Sequence, residues 1–493
     1  MAESYRNHIG GRWVDARAGG RQQSLDPATG EVVAEVARSE PADVADAVAA
    51  AKAAFEHWRR HPAPKRGEIL YRAAEAMARR KEDLARLMTR EMGKVIAEAR
   101  GDVQEGIDLT YFMAGEGRRL AGQTVPAESP DKFAMSVREP VGVVAAITPW
   151  NFPMAIPTWK LMPALVGGNT VVFKPASDTP ALACELVRIL EEAGLPPGVL
   201  NLVTGPGGTV GDALVQHPDV TLVSFTGSTE AGRAVAVKCA DGLKRVSLEL
   251  GGKNAITVMD DADLDLAVEG ILWSAYGTSG QRCTACSRVI VQRGVEQALS
   301  ARLSARINAL RVGNGLDPAT DVGPVINRRA LEKIDEYVQI GRAEGAELLT
   351  GGAPAAVEGL AAGNFYAPTL FGGVRATMRI AQEEIFGPVL SMIAVDDLDE
   401  AVRVNNGTAY GLSSAIYTRD VNRAFRAMRE LSTGIVYINA GTIGAEIQLP
   451  FGGTRGTGNG HREAGTAALD VYTEWKACYV DFSGRLQRAQ IDR

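Results

Sequence analysis

Cysteine is scarce in this chain. Cys184, Cys239, Cys283, Cys286 and Cys478 are all it has in 493 residues, too few and too scattered for a disulfide framework, so reduced thiols are expected. Histidine is as rare. None of His8, His57, His61, His217 and His461 lies close in sequence to the Cys283/Cys286 pair, which leaves a zinc site short of ligands, and no metal is expected. Long apolar runs are missing too: no stretch approaches the ~18–20 apolar residues of a membrane helix, and Met1–Trp13 carries no secretory apolar core, so a cytoplasmic protein without membrane association is expected. A one-sided charge is absent. The 53 Lys and Arg against 59 Asp and Glu give a net charge of −6, with no long basic run to mark nucleic-acid or lipid binding. No repeat of 20–50 residues is visible.

What the chain has is length. It exceeds the roughly 250–300 residues at which one hydrophobic core stops growing, so two or more packed units are expected. From Pro41 to about Arg100 apolar residues recur at helical spacing (Val44, Ala45, Val48, Ala51, Ala54, Phe55), the pattern of packing scaffold. Between Gly142 and Leu250 short apolar runs alternate with helical stretches, the pattern of a doubly wound parallel sheet. The runs are Val143–Ile147, Thr170–Phe173, Leu200–Val203, Leu222–Phe225 and Val246–Leu250. A helix is expected from Ala181 to Ala193, closed by Gly194, and another from Gly227 or Ser228. A second α/β series follows: Ala255–Met259, a helix from Asp263 to Tyr276, then Arg288–Gln292, Val389–Val395 and Ile435–Asn439. Pro126–Glu139 and Tyr472–Phe482 read as arms outside both units, with a polar tail over Ser483–Arg493.

Cys283 lies in Gly277-Thr-Ser-Gly-Gln-Arg-Cys-Thr-Ala-Cys286, after a helix and before a strand, where a loop at a domain edge is expected. Gly277 and Gly280 let the backbone approach a ligand, and Arg282 with nearby amides is expected to favour a thiolate. The plain alternative is a small buried hydrophobe, and the spacing to Cys286 also allows a redox pair. Glu249 ends the apolar strand Val246-Ser-Leu-Glu-Leu250, where apolar neighbours disfavour its charged form and suit it to general-base work; an exposed strand-end acid is the alternative. Asn151, in Thr148-Pro-Trp-Asn-Phe-Pro153, reads either as turn chemistry or as an amide that donates to an oxyanion together with the Cys283 backbone. Phe225-Thr-Gly-Ser-Thr-Glu-Ala-Gly232 places a glycine turn between a strand and a helix start, an arrangement that attracts phosphate although the usual G-x-G-x-x-G is absent. Lys174 falls at the carboxyl edge of a strand, where open α/β sheets bind ligands; a solvated lysine is the alternative.

These fragments, in this order, resemble the aldehyde dehydrogenase superfamily from about Tyr5 to Phe482. The resemblance implies a Rossmann-like cofactor domain over 1–123 and 143–250, an α/β catalytic domain over 251–448, and a small β oligomerisation arm with the tail over 124–142 and 449–493. It implies that Cys283 of G-Q-x-C is the nucleophile, Glu249 of L-E-L-G-G-K the general base and Asn151 of P-W-N-F-P the oxyanion donor. It assigns NAD or NADP to Lys174, Gly227, Ser228, Trp150, Glu384 and Phe386. Three residues beyond the lysine, NAD-strict members carry Glu; Ser177 stands here, which leaves room and charge for a 2′-phosphate, so NADP is expected to be accepted.

The reaction implied is oxidation of a small-molecule aldehyde to an acid through a cysteine thiohemiacetal and thioester. Around Asn151 and Cys283 the chain looks like the α-ketoglutaric semialdehyde branch, whereas Gly444-Ala-Glu-Ile-Gln-Leu-Pro-Phe-Gly-Gly453 is nearer to the aminoadipic semialdehyde type. Trp159, where succinic semialdehyde enzymes carry an arginine, disfavours that substrate; Arg282 is a candidate for meeting a distal carboxylate, with thiolate support or an ion pair as the other readings. A broad-range aldehyde enzyme, a coenzyme A-acylating enzyme and a non-catalytic structural or binding protein of the same fold are the competing classes. A homodimer or homotetramer built through the arms is implied.

Overall fold

The computed structural model describes residues 3–488 with Gln490 and Ile491, so Ala489, Asp492 and Arg493 of the polar tail lie outside the described residues. The expected doubly wound sheet is present. Five parallel strands stand in the order Arg245–Glu249, Val220–Thr226, Val143–Ile147, Thr170–Lys174 and Leu200–Leu202. The chain starts at the middle strand, builds outward to Leu200–Leu202, and returns to lay the remaining two on the other side. Winding therefore reverses between Val143–Ile147 and Val220–Thr226, and the carboxyl ends of those strands border the crevice where such sheets take ligands. Asn7–Ile9 and Arg12–Val14 extend this sheet as an antiparallel edge hairpin.

Strand residues alternate between two cores, as a two-residue period requires. Val144 and Ala146 pack among helices Ala63–Arg79, Lys81–Met92, Ile96–Glu116 and Ala155–Gly167. Val143, Ala145 and Ile147 face helix Pro41–Arg60. Each larger aliphatic side chain so buried contributes about 1.5–3 kcal/mol.

The second unit is another seven-stranded sheet, in the order Glu347–Thr350, Thr369–Gly372, Val389–Val395, Cys286–Gln292, Asn254–Val258, Ser413–Tyr417, Ile435–Ile438. All its pairs are parallel except the first. The two arm segments meet: Lys132–Pro140 pairs antiparallel with Thr473–Asp481, and Thr124–Pro126 pairs with Lys132–Pro140 on its other edge. Between the second sheet and that arm strand, residues 451–472 run back against the first unit, where Gly458 bridges to Glu249 and helix Ala468–Tyr472 packs on Ala155–Gly167. No described helix is long and apolar enough to cross a membrane.

Strand and helix ends fall within about two residues of expectation. The strand expected over Val246–Leu250 runs over Arg245–Glu249, which makes Glu249 its last residue. The first 40 residues, where no element is expected from the sequence pattern, supply the edge hairpin and the separate sheet of Glu3–Ser4, Val32–Ala37 and Arg21–Leu25. Strands of two to six residues are too short to display a period.

Candidate active site

A cleft of about 750 Å³ opens at the reversal point of the first sheet, against the second. Of the residues singled out from sequence, Cys283, Asn151, Trp150, Gly227, Ser228, Glu384 and Phe386 line it. Topology puts them there: Trp150 and Asn151 follow strand Val143–Ile147, Gly227 and Ser228 follow Val220–Thr226, and Cys283 precedes Cys286–Gln292. Glu249, Lys174, Ser177, Trp159 and Arg282 are not among the lining residues.

Cys283 leaves a turn in which Thr278 (φ 53°), Ser279 (φ 56°) and Gly280 (φ 68°) are left-handed in succession. For the two non-glycine residues this costs about 1–2 kcal/mol each. At Gly280 a Cβ would stand 2.2 Å from the Gly387 carbonyl oxygen, so only glycine fits. The Cys283 carbonyl accepts from Asn254 Nδ2 at 2.7 Å, and the same amide donates to the Ala285 carbonyl at 2.9 Å. The Cys283 backbone is therefore pinned from the neighbouring strand.

Two expectations about this loop are corrected. Burial pushes the Cys283 thiol up to about 12, the charges of Glu249 and Glu384 push the same way, and the Thr284 and Cys283 amides oppose them without reversing the shift. Arg282 does not support the sulfur or face the cleft. Its guanidinium sits 3.2 Å from Glu98 Oε1, Nε donates to Thr278 Oγ1 at 2.9 Å, and it lies over the Phe152 and Trp273 rings. An arginine so engaged is a poor receptor for a substrate carboxylate. Cys286 is buried at a strand start, its Sγ donating to the Arg288 carbonyl at 3.3 Å.

Asn151 is buried, and its Nδ2 donates to the Gln281 carbonyl at 3.0 Å while Oδ1 has no protein partner. One amide hydrogen is thus fixed, which leaves the other to donate elsewhere. Glu249 pairs in register with Thr226, and its carbonyl accepts from Gly227 N at 3.1 Å. Neither carboxylate oxygen has a protein partner. Burial first, then the charge of Glu463, raises Glu249 well above the usual carboxylate range, with Lys160 and Arg462 pulling it down. At Gly452 a Cβ would lie 2.6 Å from Glu249 Oε1, so the space beside the carboxylate depends on that glycine.

The group around Glu249 escaped sequence reasoning. Lys160 Nζ contacts Glu463 Oε1 and donates to Ser224 Oγ at 3.1 Å, and Tyr472 Oη donates to the same hydroxyl at 3.0 Å. A lysine amid the apolar run Trp159-Lys160-Leu161 was the available signal. Trp159 packs edge-on against Phe451 with centroids 4.8 Å apart.

Elsewhere in the cleft, Ser228 caps helix Thr229–Asp241, its hydroxyl accepting from Ala231 N at 3.2 Å. The amides of that first turn and the helix dipole favour an anion. Trp150 and Phe386 meet edge-on at 5.5 Å, and Phe386 has φ 62°, strain of the kind that collects at ligand sites. Glu384 Oε1 accepts from Gly252 N at 2.8 Å; a Cβ on Gly251 would fall 2.3 Å from Oε2. Lys174 is buried with Nζ donating to the Pro175 carbonyl at 2.8 Å, and burial lowers it to about 8 against the pull of Asp178. Ser177 Oγ donates to the Gly205 carbonyl at 3.1 Å. Lys333, unnoticed in sequence, lines the cleft and donates to the Glu384 carbonyl at 3.1 Å.

Residues 13–478 match the family model described as "Aldehyde dehydrogenase family". The chain is 44% identical to the α-ketoglutarate semialdehyde dehydrogenase of Haloferax volcanii over 484 residues, 98% of this chain and 100% of that one. It is 41% identical to the α-ketoglutaric semialdehyde dehydrogenase of Bacillus subtilis over 478 residues, 97% and 98% of the respective chains. The crystal structure of betaine aldehyde dehydrogenase from Staphylococcus aureus in complex with NAD+ superposes with a TM-score of 0.96 at 35% identity, covering 98% of this chain and 96% of that one.

Proposed function

Since the chain belongs to the aldehyde dehydrogenase family, we propose that its NAD(P)-dependent oxidation of an aldehyde to an acid uses Cys283 as nucleophile, Glu249 as general base and Asn151 as oxyanion donor. The observation that carries this reading is that Cys283 and Asn151 line the same cleft, with a buried, unpaired carboxylate at Glu249 whose charge acts on the thiol.

The residues present fit a dinucleotide: a helix start with free amides, a glycine turn, and a carboxylate seated where only glycine leaves it room. Lys174, Ser177, Gly227 and Ser228 would hold its adenosine and phosphates; Trp150, Glu384 and Phe386 would hold the nicotinamide half. When bound, the oxidised cofactor supplies a positive charge in the cleft, which favours the thiolate, and the acceptor for a hydride. Cys283 Sγ, once deprotonated, adds to the aldehyde carbon. The developing oxyanion accepts from the second Asn151 amide hydrogen and the Cys283 N–H. Oxidation leaves a thioester on Cys283. Glu249 takes a proton from water, which attacks that thioester and releases the acid.

The division into a cofactor unit (1–123, 143–250), a catalytic unit (251–448) and an arm with tail (124–142, 449–493) belongs to the same reading, with residues 451–472 of that last stretch packed on the cofactor unit. It is supported by the change of sheet between Glu249 and Asn254. A homodimer or homotetramer through the arm is supported by Trp475, Tyr479 and Val125, apolar side chains at least half exposed on it. The substrate proposed is a semialdehyde, supported by the names of the Haloferax and Bacillus relatives. NADP acceptance is supported by the neutral Ser177 beside Lys174. A panel of ω-carboxylated and unsubstituted aldehydes, followed by reduced-cofactor absorbance with NAD+ and NADP+ in turn, tests the substrate and cofactor readings. Equal kcat/KM across the panel would favour a broad-range enzyme, and no turnover with NADP+ would remove the cofactor proposal.

A further inference from the structure

The left-handed turn that delivers Cys283 is braced from the other unit. Glu98 lies in the first turn of helix Ile96–Glu116, and its side chain is only 3% exposed. Its two carboxylate oxygens accept from the Thr278 amide at 3.0 and 2.8 Å, and Oε2 also accepts from Thr278 Oγ1 at 3.1 Å. Arg282, on the far side of the turn, closes the ring by its contacts to Glu98 and to Thr278 Oγ1. A Cβ on Gly277 would stand 2.9 Å from Glu98 Oε1, so the approach of carboxylate to turn depends on that glycine.

Nothing about Thr278 or Ser279 as residue types favours a left-handed backbone; both are penalised there. External bonds hold them: Glu98 at Thr278, and the Gly323 carbonyl, which accepts from Ser279 Oγ at 2.7 Å. The turn in turn fixes Gln281, whose N–H and Nε2 both donate to the Thr278 carbonyl, at 3.0 and 3.2 Å. Gln281 supplies the carbonyl that orients Asn151. One chain of contacts therefore runs from Glu98 through Thr278 and Gln281 to the Asn151 amide and, two residues on, to Cys283.

We infer that Glu98 is a positioning residue for the reaction: it holds Thr278 left-handed, and through that turn sets both the nucleophile and the oxyanion donor. This rests on Cys283 being the nucleophile. Without Glu98 the buried Thr278 amide loses its acceptor and the Arg282 guanidinium its carboxylate, and the turn is free to relax toward negative φ. Glu98 is not among the cleft-lining residues, so the loss should fall on the rate of adduct formation and leave cofactor affinity alone.

The test is a double-mutant cycle of Glu98→Ala and Thr278→Gly, with Glu98→Gln and Cys283→Ala alongside, all assayed below their unfolding midpoints. The readouts are the pre-steady-state burst of reduced cofactor, alkylation of Cys283 by iodoacetamide mapped by peptide mass, and cofactor KM. Misplacement of reacting groups by about 1 Å costs about 100-fold, so Glu98→Ala should slow the burst by about 10- to 100-fold, with altered Cys283 alkylation and cofactor KM within about twofold. Glycine accepts a left-handed backbone without help, so Thr278→Gly should recover a large part of the loss in the Glu98→Ala background. Glu98→Gln, which keeps one acceptor for the Thr278 amide, should fall between parent and Glu98→Ala, and it carries the test if Glu98→Ala does not fold. A parental burst in folded Glu98 variants, or a loss that Thr278→Gly leaves untouched, overturns the inference. A burst surviving in Cys283→Ala would instead overturn the nucleophile reading.

Discussion

Asn151 Nδ2 and the Gln281 carbonyl meet at 3.0 Å across 130 positions of sequence. That bond fixes which way the buried amide points, because the opposite orientation would set two oxygens against each other.

Replacing Asn151 by Ala should therefore cost rate rather than binding. Loss of one oxyanion donor typically lowers kcat by about 10²–10³-fold. Rapid-mixing measurement of the burst should show that loss with cofactor KM unchanged. A burst within threefold of the parent would remove Asn151 from the role.

Glu249 gives a pH prediction. Its carboxyl is raised well above the usual range by burial and by the charge of Glu463, so it is protonated at pH values where an ordinary carboxylate is already ionised. A base acts only when deprotonated, so deacylation should climb with pH beyond the ordinary carboxylate range. Glu463→Gln removes a charge that raises Glu249, and the rising limb of the kcat–pH profile should move to lower pH. A shift the other way would contradict the assignment.

Lys160 and Glu463 form a buried ion pair. Breaking such a pair by removing one partner costs about 3–5 kcal/mol, whereas an apolar replacement of both is often nearly neutral. Lys160→Met should lower the denaturant midpoint sharply, and Lys160→Met with Glu463→Leu should regain much of it. Equal stability of the single variant and the parent would show the pair to be unimportant to folding.

Ser177→Glu places a carboxylate where the 2′-phosphate of NADP is proposed to lie. Like charges repel there, and the new oxygens are free to accept from ribose hydroxyls. Parallel titrations should show NADP+ turnover falling at least about tenfold, the cost of about 1.4 kcal/mol, while NAD+ turnover persists. An unchanged NADP+ response would put the phosphate elsewhere.

Much of this was legible in sequence wherever local pattern carries the information. The apolar runs of the first sheet, the helix closing at Gly194 and the strand ending on Glu249 lie in contiguous residues with a regular period. The brace from Glu98 to Thr278 spans 180 positions and the Lys160–Glu463 pair 303; such contacts exist only once helices are packed. Which of the three readings of Arg282 holds was not decidable locally for the same reason. Its neighbour in sequence is Cys283, but its partner in space is Glu98, on a helix of the first unit. The raised thiol likewise follows from burial and from two distant carboxylates, which no local motif displays.

The central claim is that Cys283 carries the acyl group and Glu249 releases it. Intact-protein and peptide mass spectrometry of Glu249→Gln, quenched after mixing with aldehyde and oxidised cofactor, addresses both halves at once. The expected result is one acyl group per chain, on the peptide containing Cys283, formed with a burst of reduced cofactor and persisting without steady turnover. Unimpaired steady turnover, or an acyl group on any other residue, would contradict it.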